Sequence, residues 1–363
     1  MGNPVKVIHI VEDLRTGGLE KVVCTIVVNL DRSGFDPQVW CLARGGAVAE
    51  QIASRGVTVR VSDMGQRPSP RFLLKLAEGL RREKAHVVHC HGYTACSVGR
   101  AAAILARTPR VFAHMHTQAV WLEPRQRWIE QALSAFSTKI ICVSESVREF
   151  VVQAERIPRK KTEVIYNGIP DPPLPDRECA RRQFRIREEA KVLGCVASLE
   201  PHKGHDVLIE AVRIAGMRLG NIVLLVVGDG SLRRQLEIRA RDAGISSIFA
   251  GSMEDVGVAL AAVDAMALLS LEREGLSLAI LEAMAASKPV ILSHLGGLPE
   301  LVEDGASGLL CRAGDATEAA DCIVKVLASI DLGRAMGAVG RRRFLEKFTV
   351  GKMITDIERL YGR

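Results

Sequence analysis

Aromatic residues are scarce, with Phe, Trp and Tyr making up 4% of 363 residues. Nucleic-acid-binding surfaces interleave aromatic with basic side chains, and no stretch here does so; no nucleic-acid partner is expected. The nine cysteines include no C-x-x-C pair, and several sit in strand-like runs (Cys90, Cys142, Cys195). They read as small buried hydrophobes in a reducing cytoplasm. Long apolar runs are missing too. The longest buried-strand candidate is "IVLLVV" at 222–227, well short of the roughly 18 residues that a membrane span needs. The opening "MGNPVKVIHIVEDL" enters a strand pattern directly, without the regions of a signal peptide. Met1-Gly2 begins like a myristoylation site, but Val5 and Lys6 do not supply the usual Ser or Thr. The expected location is cytoplasmic, or peripheral on the inner face of the membrane.

Several signatures of nucleotide and metal chemistry are absent. No G-x-x-x-x-G-K-[ST] is present, which argues against a P-loop ATPase, and no G-x-G-x-x-G follows the first strand, which argues against a nicotinamide dehydrogenase. Without D-x-D, a donor held through a carboxylate-bound metal is not expected. No H-E-x-x-H or Cys/His cluster offers a transition-metal site, so no metal ligand is assigned. Of His86, His89 and His91 in "HVVHCHGY", the last two alternate as strand residues do, and the three read as fold packing.

What is present is an alternation of strand and helix. Strand runs at "VKVIHIVE", "PQVWCLA", "VTVRVSD", "HVVHCH", "RVFAHMH" and "TKIICVS" are separated by helical periodicity. The rhythm restarts at "KVLGCVASL" and continues through "NIVLLVVGDG", "ISSIFAGS", "VDAMALLS", "KPVILS" and "SGLLCR". This predicts an α/β protein with two Rossmann-like, doubly wound parallel-sheet domains facing across a ligand cleft. "NGIPDPPLPD" at 167–176 carries four of the 14 prolines within six positions and reads as the linker. The expected domains are 1–169 and 170–340, with 341–363 a helical segment returning to the first. Charge divides unevenly: up to Pro170 there are 24 Lys and Arg against 15 Asp and Glu, and beyond it 25 against 27. Basic clusters at 69–84 and 121–128 suggest an anionic partner such as a membrane surface, with solvated helix faces as the alternative.

Two features suit a diphosphate. Gly17-Gly18 opens a helix after the first strand, where backbone N–H groups could approach a phosphate; simple tight turns are the alternative. Lys203-Gly204 in "ASLEPHKGHDVLIEA" occupies the corresponding strand-to-helix loop of the second domain. Glu274 and Glu282, in "EREGLSLAILEAM", flank a helix start. Ser277 reads as the N-cap and Leu278 as the first helical residue, so Glu282 lies about one turn inside. Helical side chains lean toward the N-terminus, so both carboxylates can address one space, with the N–H groups of Gly275, Leu276, Ser277 and Leu278 between them. Carboxylates accept from hydroxyls and free N–H groups donate to phosphate, a combination suited to a nucleotide-diphosphate sugar.

The segment "EREGLSLAILEAMAASKPVILSHLGGLPELVEDGASGLL" closely resembles the E-x7-E signature of the retaining family-4 glycosyltransferases, which have the GT-B fold. The likeness extends to "TGGLEKVV", "VVHCHGY", "EVIYNGIPD", "LEPHKGHDVLIEA" and "VVGDGSLRRQLE", nearly the whole chain. It implies that Glu274 holds the donor sugar's hydroxyls and Glu282 the ribose. Gly17, Gly18 and Lys203 would bind the diphosphate, and the amides around Leu276 and Ser277 would approach phosphate or sugar. His116 matches the family's histidine beside the reacting sugar, and Met253 the position where backbone meets nucleobase.

Two departures stand out. Ser198 replaces the family's usual basic residue before L-x-P-x-K-G, so Lys203 acts alone or with an arginine such as Arg15. The family's E-G-F-G-L reads E-G-L-S-L here, which bears on the fit of the donor sugar. The resemblance implies a retaining, metal-independent hexosyl transfer from a nucleotide-diphosphate sugar, UDP-linked by expectation. The acceptor would be a hydroxyl of a glycan, a lipid-linked or a small molecule, in polysaccharide or glycoconjugate synthesis. It implies no cofactor beyond the donor substrate. The alternatives are a GT-B nucleotide-sugar epimerase and an inactive nucleotide-sugar-binding relative.

Overall fold

The computed structural model describes residues 4–15, 17–65, 68–272 and 274–362. Met1 and Gly2, considered above as an acylation start, lie outside them. The chain divides into two compact units, Met1–Gly168 with Val350–Arg363, and Ile169–Thr349. The boundary expected at 341 falls inside a helix, Ile330–Lys347. Arg341 fixes that helix to the second unit by pairing with Asp171 and donating to the Ala285 carbonyl at 2.6 Å.

The first unit holds a seven-stranded sheet of β1 (Val5–Asp13), β2 (Phe35–Arg44), β3 (Thr58–Val61), β4 (Val87–His91), β5 (Arg110–Met115), β6 (Lys139–Cys142) and β7 (Thr162–Val164). Their order is β3-β2-β1-β4-β5-β6-β7, and every recorded pairing is parallel. Helices cover a parallel sheet on both faces, so its central strands read as unbroken apolar runs. All five residues of β4 are buried. The order reverses between β1 and β4, and at such a switch point the outgoing loops part and leave a crevice at the carboxyl edge.

The second unit repeats the plan with β8 (Lys191–Val196), β9 (Ile222–Val227), β10 (Ser246–Gly251), β11 (Ala265–Leu268), β12 (Val290–Ser293) and β13 (Gly308–Cys311). The order is β10-β9-β8-β11-β12-β13, again parallel, with its switch point between β8 and β11. Its core joins Leu193, Leu224, Ala267 and Ile291 from the strands to Leu208, Val212 and Ile323 from the covering helices. Among the described residues no helix is long and apolar enough to cross a membrane.

Candidate functional site

In the second unit, the loops leaving β8 and β11 carry Lys203 and Glu274 to the switch-point crevice. Lys203 ends a 3-10 turn, Pro201–Lys203, and Gly204 follows at φ +68° before the helix His205–Leu219. A Cβ at Gly204 would lie 1.9 Å from the Leu269 carbonyl oxygen, so only glycine fits between the turn and the end of β11. The Leu271 N–H donates to the His202 carbonyl at 2.8 Å, which ties the two loops together.

This close approach joins the two residues that sequence reasoning gave separate tasks. Lys203 Nζ donates to Glu274 Oε1 at 2.5 Å, and Ser270 Oγ donates to the same oxygen at 2.7 Å. Glu274 is nearly buried, with 4% of its surface exposed. A carboxylate so placed needs compensation, and the ammonium and hydroxyl supply it. The loop is fixed by further contacts: Gly297 N–H donates to the Glu274 carbonyl at 3.1 Å, and Ser293 Oγ to the Ser270 carbonyl at 2.8 Å. Gly296, at φ +57°, approaches so closely that a Cβ there would lie 2.2 Å from the Glu274 carbonyl oxygen. Ser270 and Ser293 were missed as supporting residues. The available signal was the serine that ends both "AMALLS" and "VILS".

The helix after Glu274 is Leu278–Ala285, with Ser277 at the N-cap position. The Ser277 side chain makes no capping bond, unlike the expectation from its residue type. Gly275, Leu276 and Ser277 lie between Glu274 and the helix, and Glu282 is half-buried one turn inside. The first N–H groups of a helix have no intrahelical acceptor, which suits them to an anion. Met253 is half-buried in the loop after β10, further along the same carboxyl edge.

In the first unit, Gly18 begins a helix, Gly18–Asn29, and Gly17 is its extended N-cap. Arg15, suggested above as a second phosphate cation, donates from Nε to Asp13 Oδ2 at 2.7 Å. His116 follows β5 and belongs to a cluster absent from the sequence reading. β1, β4 and β5 are neighbours, with His9 beside His89 and His91 beside His114 in register. Alternation turns all of these, with His116, to one face. His9 Nδ1 lies 3.0 Å from His91 Nε2, and His91 Nδ1 lies 3.2 Å from His116 Nε2. The Tyr361 hydroxyl bonds His89 Nδ1 and lies 3.4 Å from His9 Nε2. The expectation that no His cluster exists is therefore corrected: His9, His89 and His91, and likewise His91, His114 and His116, bring possible ligand nitrogens within 4.8 Å of one another. Burial lowers the pKa of His9 and His116 to about 3 and those of His89, His91 and His114 well below the usual value. All five imidazoles are neutral at physiological pH.

Comparison with known proteins gives the family. The model "Glycosyltransferase Family 4" matches residues 16–171, and "Glycosyl transferases group 1" matches residues 176–343. The N-acetyl-alpha-D-glucosaminyl L-malate synthase of Bacillus anthracis is 31% identical over 213 residues, 56% of this chain and 54% of that one. The chain thus spans about half the length of that relative. The UDP-Gal:alpha-D-GlcNAc-diphosphoundecaprenol alpha-1,3-galactosyltransferase of Escherichia coli is 27% identical over 304 residues, 80% of this chain and 78% of that one. The crystal structure of Anabaena Alr3699/HepE in complex with UDP superposes with a TM-score of 0.87 at 22% identity, covering 98% of each chain. With the two models together taking in nearly the whole chain, the protein belongs to the family-4, group 1 glycosyltransferases and has their GT-B fold.

Proposed function

We propose that the protein transfers a hexosyl group with retention from a UDP-sugar to a hydroxyl of a glycan or lipid-linked acceptor, in the synthesis of a cell-surface glycoconjugate. The observation that carries this reading is the Lys203–Glu274 pair at the β8/β11 switch point, a cation and a carboxylate beside a helix start. The names of the Escherichia coli galactosyltransferase and the Anabaena complex support a uridine nucleotide.

In this reading Glu274 takes the sugar's hydroxyls and Glu282 the ribose, with Met253 at the base. Lys203, Gly17, Gly18 and the amides from Gly275 to Leu278 take the diphosphate. The transition state is oxocarbenium-like, and negative charge grows on the departing diphosphate. A fixed ammonium and helix amides stabilise that charge without rearrangement. The acceptor hydroxyl attacks from the leaving-group face and passes its proton to a diphosphate oxygen, while His116 orients the sugar.

The two glutamates separate in binding experiments. Free UDP lacks the sugar, so Glu282→Gln should weaken it by roughly 10- to 150-fold, the equivalent of about 1.5–3 kcal/mol for a hydrogen bond to a charged group. Glu274→Gln releases Lys203 from its partner and should leave UDP binding undiminished while turnover falls. Equal weakening of UDP by both substitutions in calorimetry would overturn the assignment.

Because Lys203 and a helix start supply the positive charge, turnover is expected to survive excess chelator. Complete loss, restored by magnesium or manganese, would contradict this. A membrane contact is proposed for the basic first unit. Trp121, Trp128 and Phe136 are 49%, 68% and 69% exposed on or beside the helix Pro124–Phe136, which also carries Arg125 and Arg127. Sedimentation should show binding to anionic vesicles that weakens as salt rises. Equal partitioning onto neutral vesicles would count against it.

A further inference from the structure

β5 runs into "HMH", and strand alternation turns His114 and His116 to the same face. His91, at the end of β4, is in register with His114. Two imidazoles on one strand and a third beside them on its neighbour can converge on one ion. His91 Nδ1 and His116 Nε2 are 3.2 Å apart, and His114 offers a ring nitrogen within 4.8 Å of both. Two nitrogens on one tetrahedral zinc ion, each bound at about 2.05 Å, are separated by about 3.3 Å. The first pair already has this spacing, and a rotation of the His114 ring brings in the third. Neither nitrogen of His114 bonds another protein atom among the described residues, so that rotation breaks no protein contact. An ion here replaces the single His91–His116 hydrogen bond with metal–nitrogen bonds.

The surroundings fit an ion as well. His9 Nδ1 lies 3.0 Å from His91 Nε2, the nitrogen that keeps its proton when Nδ1 holds a metal, and can accept that N–H. Histidine ligands are oriented by such outer partners. His91 and His114 are buried, whereas His116 is half-buried just beyond the carboxyl end of β5. An ion can therefore enter from the carboxyl edge and keep one coordination position open to it. The inner group of His9, His89 and His91 has no such route, since all three rings are buried and the Tyr361 hydroxyl holds His89 Nδ1. The ligand set is all imidazole. Cys90 and Met115 alternate to the opposite face of their strands, so no sulfur joins it. Imidazoles without carboxylates select zinc and its transition-metal neighbours over magnesium or calcium.

We propose that His91, His114 and His116 form a binding site for a zinc-class divalent ion at the carboxyl edge of the first sheet. The ion takes His116 Nε2 and fixes that ring, so it competes with any contact between His116 and the donor sugar. Zinc is then a reversible brake on transfer, and not an aid to the leaving group; chelation releases it. The brake rests on the reading that His116 faces the donor sugar, whereas the ion site does not.

The test uses full-length protein stripped of metal by a chelator. It is titrated with zinc against a chromophoric chelator, and separately with cobalt(II), whose visible absorption is intense in tetrahedral sites. The unaltered protein should bind one equivalent of zinc and give the tetrahedral cobalt spectrum. His114→Phe keeps a ring in the packed position and removes a ligand. Zinc affinity should then fall by more than the roughly 10- to 100-fold that loss of an outer-shell partner costs. Should that variant fail to fold, His116→Ala at the half-buried position makes the same test. No saturable binding, an octahedral cobalt spectrum, or undiminished affinity in the folded variant would overturn the site. UDP-sugar turnover should fall in step with zinc occupancy and return on chelation, while His114→Phe stays active at the same zinc concentration. One equivalent bound with turnover unchanged would retain the site and overturn the placement of His116 at the sugar.

Discussion

Acidification from about pH 7.5 to about 5.5 is expected to remove roughly 4 kcal/mol of stability from the first unit, a large part of what a domain possesses. His9, His89, His91 and His114 are buried and have pKa values lowered by burial. Above pH 6.5 they are neutral in both the folded and unfolded chain, and nothing is at stake. Below it the unfolded chain takes up protons that the folded one refuses, so stability falls as pH falls toward the folded values. One unit below 6.5, each contributes about 1.4 kcal/mol to the loss, and half-buried His116 adds somewhat less. Glu155 acts in the opposite sense. Burial pushes its carboxyl up to about 7, so acidification relieves a buried charge and returns about 2 kcal/mol. All three tryptophans, Trp40, Trp121 and Trp128, lie in the first unit, so their fluorescence reports on it. A urea midpoint that stays constant between these two pH values would refute the expectation. Glu155→Gln should make the loss steeper.

Lys203→Met is expected to damage both stability and turnover, and a second substitution should separate the two effects. It leaves Glu274 charged, nearly buried and supported only by Ser270 among its recorded side-chain partners. Breaking a fully buried pair costs about 3–5 kcal/mol; the partial exposure of Lys203 reduces this to roughly 2–3. Lys203→Met/Glu274→Gln removes both charges and should recover stability to within about 1 kcal/mol of the parent. Turnover should stay depressed by about a hundredfold or more in both variants, because the diphosphate has lost its ammonium and, in the double variant, the sugar has also lost its carboxylate. Recovery of turnover along with stability in the double variant would mean that the pair supports the fold and that neither Lys203 nor Glu274 is needed for transfer.

The strands were legible because parallel strands covered on both faces are written as short apolar runs, such as 222–227, separated by helical periodicity. The loop positions of Lys203 and Glu274 were legible for the same reason, since each follows a readable strand. Their pairing was not. They are 71 residues apart, and their meeting depends on β8 and β11 being sheet neighbours and on Gly204 fitting under Leu269. The histidine chain was hidden more deeply. "HCH" and "HMH" each show strand alternation, but only the order β1-β4-β5 and the register between these strands put His9, His91 and His116 in line. Tyr361 completes the line from a helix expected to return to the first unit, but no local pattern shows which strand its ring meets.

That closing helix, Val350–Gly362, places a constraint on biosynthesis. The ring that bonds His89 and His9 is made only after all of Ile169–Thr349 has been translated. Until then the first unit lacks the helix that carries Tyr361. The second unit is continuous in sequence and can complete itself sooner, although it is made later. Vectorial synthesis therefore makes the first unit the one whose parts are separated in time, because its closing helix follows the whole of the second unit.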